Sequence, residues 1–425
     1  MQQIERLKRG PISHKISTIN IIRPQYLELS SSVPLYSYRS KGIGAIRLEI
    51  VFEAGRLYEE KRMLAQSCAT LITEGCKSMT SGEISEMVDY EGAYLSSHGN
   101  SDFITMRLTC ARKSFKKLAF VLGRIIDAPT FSEEELDLYV KRRKQKMSVN
   151  LTKNDIISYR AITEGLYGQD SAYGYNSTPE MLDSITSSDL LRHYQNKCIK
   201  RRAQIFLSGD FDEEDIKTIE DFSQNIRDSS DSKTNYQRTE TKNQTILLKG
   251  RENQSSLKLG LPLFDRTHWE YSGIYILNTI LGGYFGSRLM RNIREEKGYT
   301  YNIYSMLDTY KYDGSWIISC ELDEKYIEDT IAQIAFEFER LKTELISSEE
   351  LQMVKNYMLG NFMSTINGPF KAINPTKMEI LLGLKSSFYN DLSSHILKIK
   401  ADDIQSLAQE YLNIDKFWKV IVGKA

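Results

Sequence analysis

Alternating apolar and polar positions mark the first ordered elements. Val33-Pro-Leu-Tyr-Ser-Tyr and Ile46-Arg-Leu-Glu-Ile-Val-Phe repeat with a period of two, which predicts two strands within residues 33–54. Helices are expected over residues 60–73 and 80–90, the second opened by the capping-box spacing Thr80-Ser-Gly-Glu83. Strands follow near 93–98 and 102–110. Phe115, Leu118, Leu122 and Ile125 then share one helical face. A long polar helix begins at Ser132-Glu-Glu-Glu-Leu, and a Tyr- and Gly-rich loop runs from Tyr167 to Tyr175. A helix near 187–197 and the strand Ala203-Gln-Ile-Phe-Leu complete the series.

The same order returns. Leu257-Lys-Leu-Gly-Leu predicts a strand, 269–280 and 285–296 helices, and 301–307 and 314–321 strands. A helix follows with Ile327, Ile331, Ile334, Phe338 and Leu341 on one face. Ser348-Glu-Glu-Leu351 echoes Glu133-Glu-Glu-Leu136, Asp403 echoes Asp189, and Trp418 echoes Gln204, all in matching contexts. Three matches at one nearly constant offset indicate a duplicated unit. The expected architecture is α+β, with two homologous domains, each a mostly antiparallel sheet packed against helices. The predicted boundaries are 1–226, a polar linker at 227–243 around Arg227-Asp-Ser-Ser-Asp-Ser, and 244–425.

Composition narrows the function. Lys plus Arg equals Asp plus Glu, 56 each, so no net field selects nucleic acid, a membrane surface or an acidic partner. No run approaches the roughly 18 apolar residues of a membrane span. The first residues carry charge without an apolar run, so neither a secretory signal nor a transit peptide is expected. Cys68, Cys76, Cys110, Cys198 and Cys320 are widely spaced and odd in number, which suits a reducing cytoplasm.

The segment from Leu281-Gly-Gly-Tyr-Phe-Gly-Ser-Arg-Leu to Arg294-Glu-Glu-Lys-Gly-Tyr-Thr-Tyr301 is similar to a signature of the insulinase/pitrilysin family of zinc metallopeptidases. Its simplest local reading is a helix burying Phe285, Leu289 and Ile293 and ended by Gly298. Leu64 to Gly75, Ser81-Gly-Glu-Ile-Ser-Glu, Glu91-Gly-Ala-Tyr-Leu and Phe131-Ser-Glu-Glu-Glu-Leu also resemble the family, in the family's order. The resemblance implies that two units form half of a clamshell, and that two such halves enclose a peptide.

Active members of that family carry H-x-x-E-H, whose histidines bind zinc while the glutamate acts as general base. Here Gln66 and Thr70 stand at the histidine positions and Ala69 at the glutamate. Farther along the chain, Lys146 stands where the resemblance places the third ligand, and Tyr139 replaces another acidic residue. A lysine about 4 Å from a dication is repelled by roughly 8 kcal/mol at an effective dielectric of about 20. No metal bound by this chain is therefore expected.

The other candidates have ordinary readings. His14, His98, His193, His268 and His395 are dispersed, and Cys68 reads as a small buried helix residue without a nearby histidine. Gly282, Gly283 and Gly286 fit no P-loop. Lys141-Arg-Arg-Lys-Gln-Lys146 reads as a solvated helix face.

What the resemblance implies is a non-catalytic subunit of a two-chain zinc peptidase. Arg294 and Tyr301 would then assist the zinc site of a partner that carries H-x-x-E-H, with a peptide as substrate. The alternative is a structural or peptide-binding pseudo-peptidase, like the respiratory-complex core subunits of the same fold. For the chain alone the sequence is compatible with a homodimer and with a monomer alike.

Overall fold

The computed structural model describes residue 19, residues 21–226, residue 234, residues 236–239 and residues 241–423. Of the expected linker 227–243, residues 227–233, 235 and 240 lie outside the described residues.

Two sheets carry the architecture. The first contains β1 (Gln25–Glu28), β2 (Pro34–Arg39), β3 (Ala45–Phe52), β4 (Tyr94–Gly99), β5 (Ile104–Ala111) and β6 (Ala203–Gly209), in the order β1-β2-β6-β3-β5-β4. The second contains β7 (Thr245–Lys249), β8 (Ser255–Leu263), β9 (Thr300–Thr309), β10 (Gly314–Leu322) and β11 (Trp418–Gly423), in the order β9-β10-β8-β11-β7. In the first sheet β2 runs parallel to β6, in the second β7 runs parallel to β11, and the other neighbours are antiparallel. Leaving out the edge strand β1, the two orders match strand for strand. The duplication legible in the echoes of Leu136, Asp189 and Gln204 is thus a duplication of topology.

Strict alternation works where one face meets helices. Along β5, Ile104, Met106, Leu108 and Cys110 are buried and the residues between them half-buried. Central β6 is buried throughout, as a strand covered on both faces must be.

The principal helices are α1 (Leu64–Leu71), α2 (Ser81–Tyr90), α3 (Phe115–Asp127), α4 (Glu133–Asn150), α5 (Asn154–Tyr167), α6 (Tyr271–Gly282), α7 (Ile327–Thr343), α8 (Ser348–Ile366), α9 (Asn374–Leu382) and α10 (Phe388–Lys398). Thr80 and Glu83 form the expected capping box of α2. Ser132 and Ser347 cap the equivalent long helices α4 and α8 by accepting from the amides of Glu135 (3.3 Å) and Glu350 (3.1 Å).

The helix after each long helix crosses to the other sheet. α5 lies on β8 and β11 of the second sheet. A Cβ on its Gly165 would sit 2.8 Å from the Trp418 ring, and one on Gly260 would sit 2.8 Å from Ile162. Lys258, 1% exposed, is satisfied there by Asp155 (2.6 Å) and Ser319 (2.7 Å). Reciprocally, Ile373, Leu381 and Leu382, in and beside α9, pack against Val51, Phe103 and Phe206 of the first half. The Lys377 ammonium meets the buried Glu49 carboxylate at 2.8 Å.

One helix is shorter than the sequence suggests. The spacing predicts a helix over 285–296, but residues 283–287 form a turn and Met290–Glu296 a π-helix. Phe285 is consequently 62% exposed rather than buried, while Leu289 and Ile293 are fully buried as expected.

Candidate functional site

The degenerate metal-site positions converge. Glu59 accepts from the Ala65 amide at 2.9 Å and from the Tyr175 hydroxyl, which ties down the start of α1. Strand β4 presses so close that a Cβ on Gly99 would lie 2.9 Å from the Ala69 Cβ and 3.3 Å from the Ala65 carbonyl oxygen. Ala69 is fully buried in that contact. Gln66 is half-buried and accepts from Arg143 Nη2 at 2.9 Å. Thr70 is exposed and donates its hydroxyl to the Gln66 carbonyl oxygen at 3.0 Å.

Thr70, Tyr139 and Lys146 line one cleft of about 250 Å³ between α1 and α4, together with Arg142, Arg143, Glu74 and Glu135. The Ser67 hydroxyl lies 3.2 Å from the Tyr139 hydroxyl. Residues 141–146 are exposed or half-buried, as a solvated helix face would be, and Arg142, Arg143 and Lys146 on it also border the cleft. Side chains three and four positions apart on a helix share a face, which brings Lys146 beside the two arginines. Lys144 points elsewhere and pairs with Asp183. At the motif positions stand the Gln66 amide, the Thr70 hydroxyl and the Lys146 ammonium. Glu74 and Glu135 also border the cleft, but among the described residues no imidazole joins them and three cations stand beside them, a set that does not fit a zinc ion. Among the described residues no group of three or more His, Cys, Asp or Glu is placed to hold a metal.

The remaining candidates take structural places. Buried His193 sets Nε2 3.0 Å from the Ala54 carbonyl oxygen, and burial lowers its pKa to about 4. His395 bonds to Ser272. Cys68 is fully buried, and the five cysteines are free thiols. His14 lies outside the described residues.

The signature segment is a rigid mount. A Cβ on Gly282 would fall 2.6 Å from the Ser305 Cβ, so the end of α6 meets β9 at a separation only glycine permits. Ser305 donates to Asn278 Oδ1 (2.7 Å) and accepts from Trp316 Nε1 (2.6 Å) in the same junction. Arg288, 7% exposed, donates from Nε and Nη2 to both Glu350 oxygens at 2.9 and 3.0 Å. Asn292 donates to Glu337 Oε1 at 2.8 Å. Gly298 ends the segment at φ +68°, the left-handed conformation expected of it.

Arg294 and Tyr301 project from this mount. The Arg294 guanidinium lies over the exposed Phe285 ring at 4.5 Å. Tyr301 is 85% exposed and sits in a register shift of β9 between Thr300 and Ile303. An irregularity of this kind re-aims a side chain away from the sheet. Thr300 stabilises it by donating to the Glu321 carbonyl oxygen at 2.6 Å and accepting from the Asn302 amide at 3.1 Å. Tyr301 borders a cleft with Asp155, Gln254 and Glu321, and burial raises the Glu321 carboxyl above the ordinary range. Among the described residues no hydrogen bond or ring contact joins Arg294 to Tyr301. The two share a mount, not a bond.

The supporting residues Gly282, Arg288, Asn292 and Glu350 have no role that the sequence alone assigns. Arg288 stands in the signature itself, but nothing local points to Glu350, 62 positions away.

Comparison with known proteins bears on the fold and the family likeness. Residues 184–358 match the family described as the peptidase M16 inactive domain. A Bacillus subtilis protein called uncharacterized zinc protease YmxG is 22% identical over 344 residues, spanning 80% of this chain and 84% of the relative. A Helicobacter pylori protein called non-peptidase homolog YmxG is 20% identical, over 88% of each chain. The crystal structure of a peptidase M16 inactive domain from Pseudomonas fluorescens aligns with a TM-score of 0.86 at 20% identity, covering 95% of this chain and 99% of that one. Residues 184–358 therefore resemble the peptidase M16 inactive domain, and the chain as a whole shares the fold of that domain's solved structure.

Proposed function

We propose that this chain is the non-catalytic subunit of a two-chain M16 peptidase. It lends Arg294 and Tyr301 to the site of a partner that carries H-x-x-E-H, and the metal belongs to that partner. The observation that carries this reading is the contrast at residues 282–301. A close-packed mount, built from Gly282, Arg288 and Asn292, holds out a tyrosine that is 85% exposed and contributes little to the fold. The roles follow from the chemistry of the groups. A phenol donates to an oxyanion as it develops, and a guanidinium anchors a peptide carbonyl or carboxylate.

In this reading the units span 1–226 and 244–425, and the reducing cytoplasm suits the five free thiols. The described residues contain no helix long and apolar enough to cross a membrane. The deciding experiment mixes the purified chain with an H-x-x-E-H partner and assays peptide cleavage. Activity from the mixture and none from the lone chain supports the proposal. A partner that is fully active without this chain, and unaltered by it, leaves the structural pseudo-peptidase reading in its place.

A further inference from the structure

In the second half, the helices equivalent to α1 and α4 are α6 and α8, and a different cavity opens beside them. Its first lobe, about 260 Å³, is lined by Tyr271 and Tyr275 of α6, Phe362 of α8, Met378 of α9 and Tyr389 of α10. A second lobe of about 420 Å³ continues past Trp269, Lys385 and His395. Arg266, Tyr271, Phe388 and Leu392 line both lobes, so Arg266 stands at their junction.

The half-buried Arg266 is the unusual element. Its Nε donates to Thr309 Oγ1 at 2.8 Å, it bonds to the Tyr389 hydroxyl, and no carboxylate forms an ion pair with it among the described residues. Asp391, which lines the second lobe, already accepts from Ser387 at 2.7 Å. Burial raises the Tyr271, Tyr275 and Tyr389 phenols above their ordinary range, which keeps them neutral donors. An unneutralised guanidinium among aromatic walls matches a ligand that is apolar at one end and anionic at the other.

We infer that this cavity binds a carboxylate attached to an aromatic-sized apolar group, with the apolar group in the first lobe and the carboxylate on Arg266. A free aryl carboxylate and the terminal residue of a peptide share that chemistry. The second lobe is where the rest of a peptide would leave. The site is separate from the degenerate cleft and does not depend on the chain serving a two-chain peptidase.

Isothermal titration of the full chain tests this with three probes: 3-phenylpropionate, a hexapeptide ending in Phe with a free carboxylate, and the same hexapeptide amidated. At least one acid should bind saturably, and the amide should bind the wild type about tenfold more weakly or worse, the equivalent of one charge-assisted contact. Binding of 3-phenylpropionate identifies the free-acid source, and binding of the peptide acid alone identifies a chain terminus. Arg266→Gln, checked by thermal melting, should lose a similar factor. No saturation by either acid up to about 10 mM overturns the inference, and so does an amide that binds as well as the acid. If the variant fails to fold, the acid–amide comparison on the wild-type protein still decides.

Discussion

Arg288 and Glu350 meet through two parallel contacts of 2.9 and 3.0 Å, and this pair locks the turn that presents Arg294 to the long helix α8. Glu350 also lies in the first turn of α8, where its amide is capped by Ser347. One residue therefore joins the helix start to the signature segment, its amide in the cap and its carboxylate on Arg288. Arg288→Met should cost about 3 kcal/mol or more, because it strands a largely buried carboxylate. Tyr301→Phe, at an exposed position, should stay within about 0.5 kcal/mol of wild type. Urea unfolding of both variants checks the contrast.

The catalytic role of the pair has a kinetic signature. In the two-chain complex, Tyr301→Phe should lower kcat about 10²–10³-fold with assembly intact, the usual loss for one oxyanion donor. Arg294→Ala should also raise KM, since a substrate anchor goes with it. Steady-state kinetics, with assembly followed by size-exclusion chromatography, separates the two effects. Wild-type values from both variants would reduce the pair to a structural junction.

Metal content gives an independent check. With Gln66 engaged by Arg143, and Lys146 beside that arginine in the cleft, elemental analysis should find far less than one zinc per chain. A chelator should leave the melting temperature unchanged, whereas a structural metal would contribute folding energy. Stoichiometric zinc on α1 would sink the subunit proposal at its first step.

A pH dependence is expected at Asp308. Burial raises its carboxyl above the ordinary range, opposed by the Tyr159 hydroxyl that donates to it at 2.7 Å. Because the folded value lies above the unfolded one, its stabilising contribution is complete below the unfolded pKa. That contribution is lost as pH rises through the folded value. Asp308→Asn keeps an acceptor for Tyr159 and removes the charge. It should gain stability relative to wild type as pH rises from about 4 toward neutrality, and converge with it in acid. Paired melting curves across that range test the sign.

The sequence exposed what depends on local pattern. Alternation in Ile104 to Ala111 and the caps at Thr80 and Ser132 arise from neighbours within a turn or two, and the echo of Leu136 in Leu351 is legible because the same local pattern occurs twice. Phe285 shows the limit. Its spacing to Leu289 and Ile293 is helical, but spacing does not say where a helix begins, and a turn at 283–287 leaves the ring outside. The degenerate site was legible because its residues align with a motif, and the structure gathers Thr70, Tyr139 and Lys146 around one cleft. The crossing of α5 and α9 was not legible. Nothing in Ile162 or Leu381 tells which of two similar sheets will bury it.

That crossing makes the two halves chemical complements. Ser158 of α5 meets Ser256 at 2.7 Å in a buried contact, and Trp418 fills the space beside Gly165. A chain severed between residues 226 and 244 would give two fragments, each with a bare sheet face and an unshielded helix. Separately they should be insoluble or molten. Co-expressed, they should find each other and reassemble as a split protein, so a gene broken at this point could still encode a working molecule in two pieces.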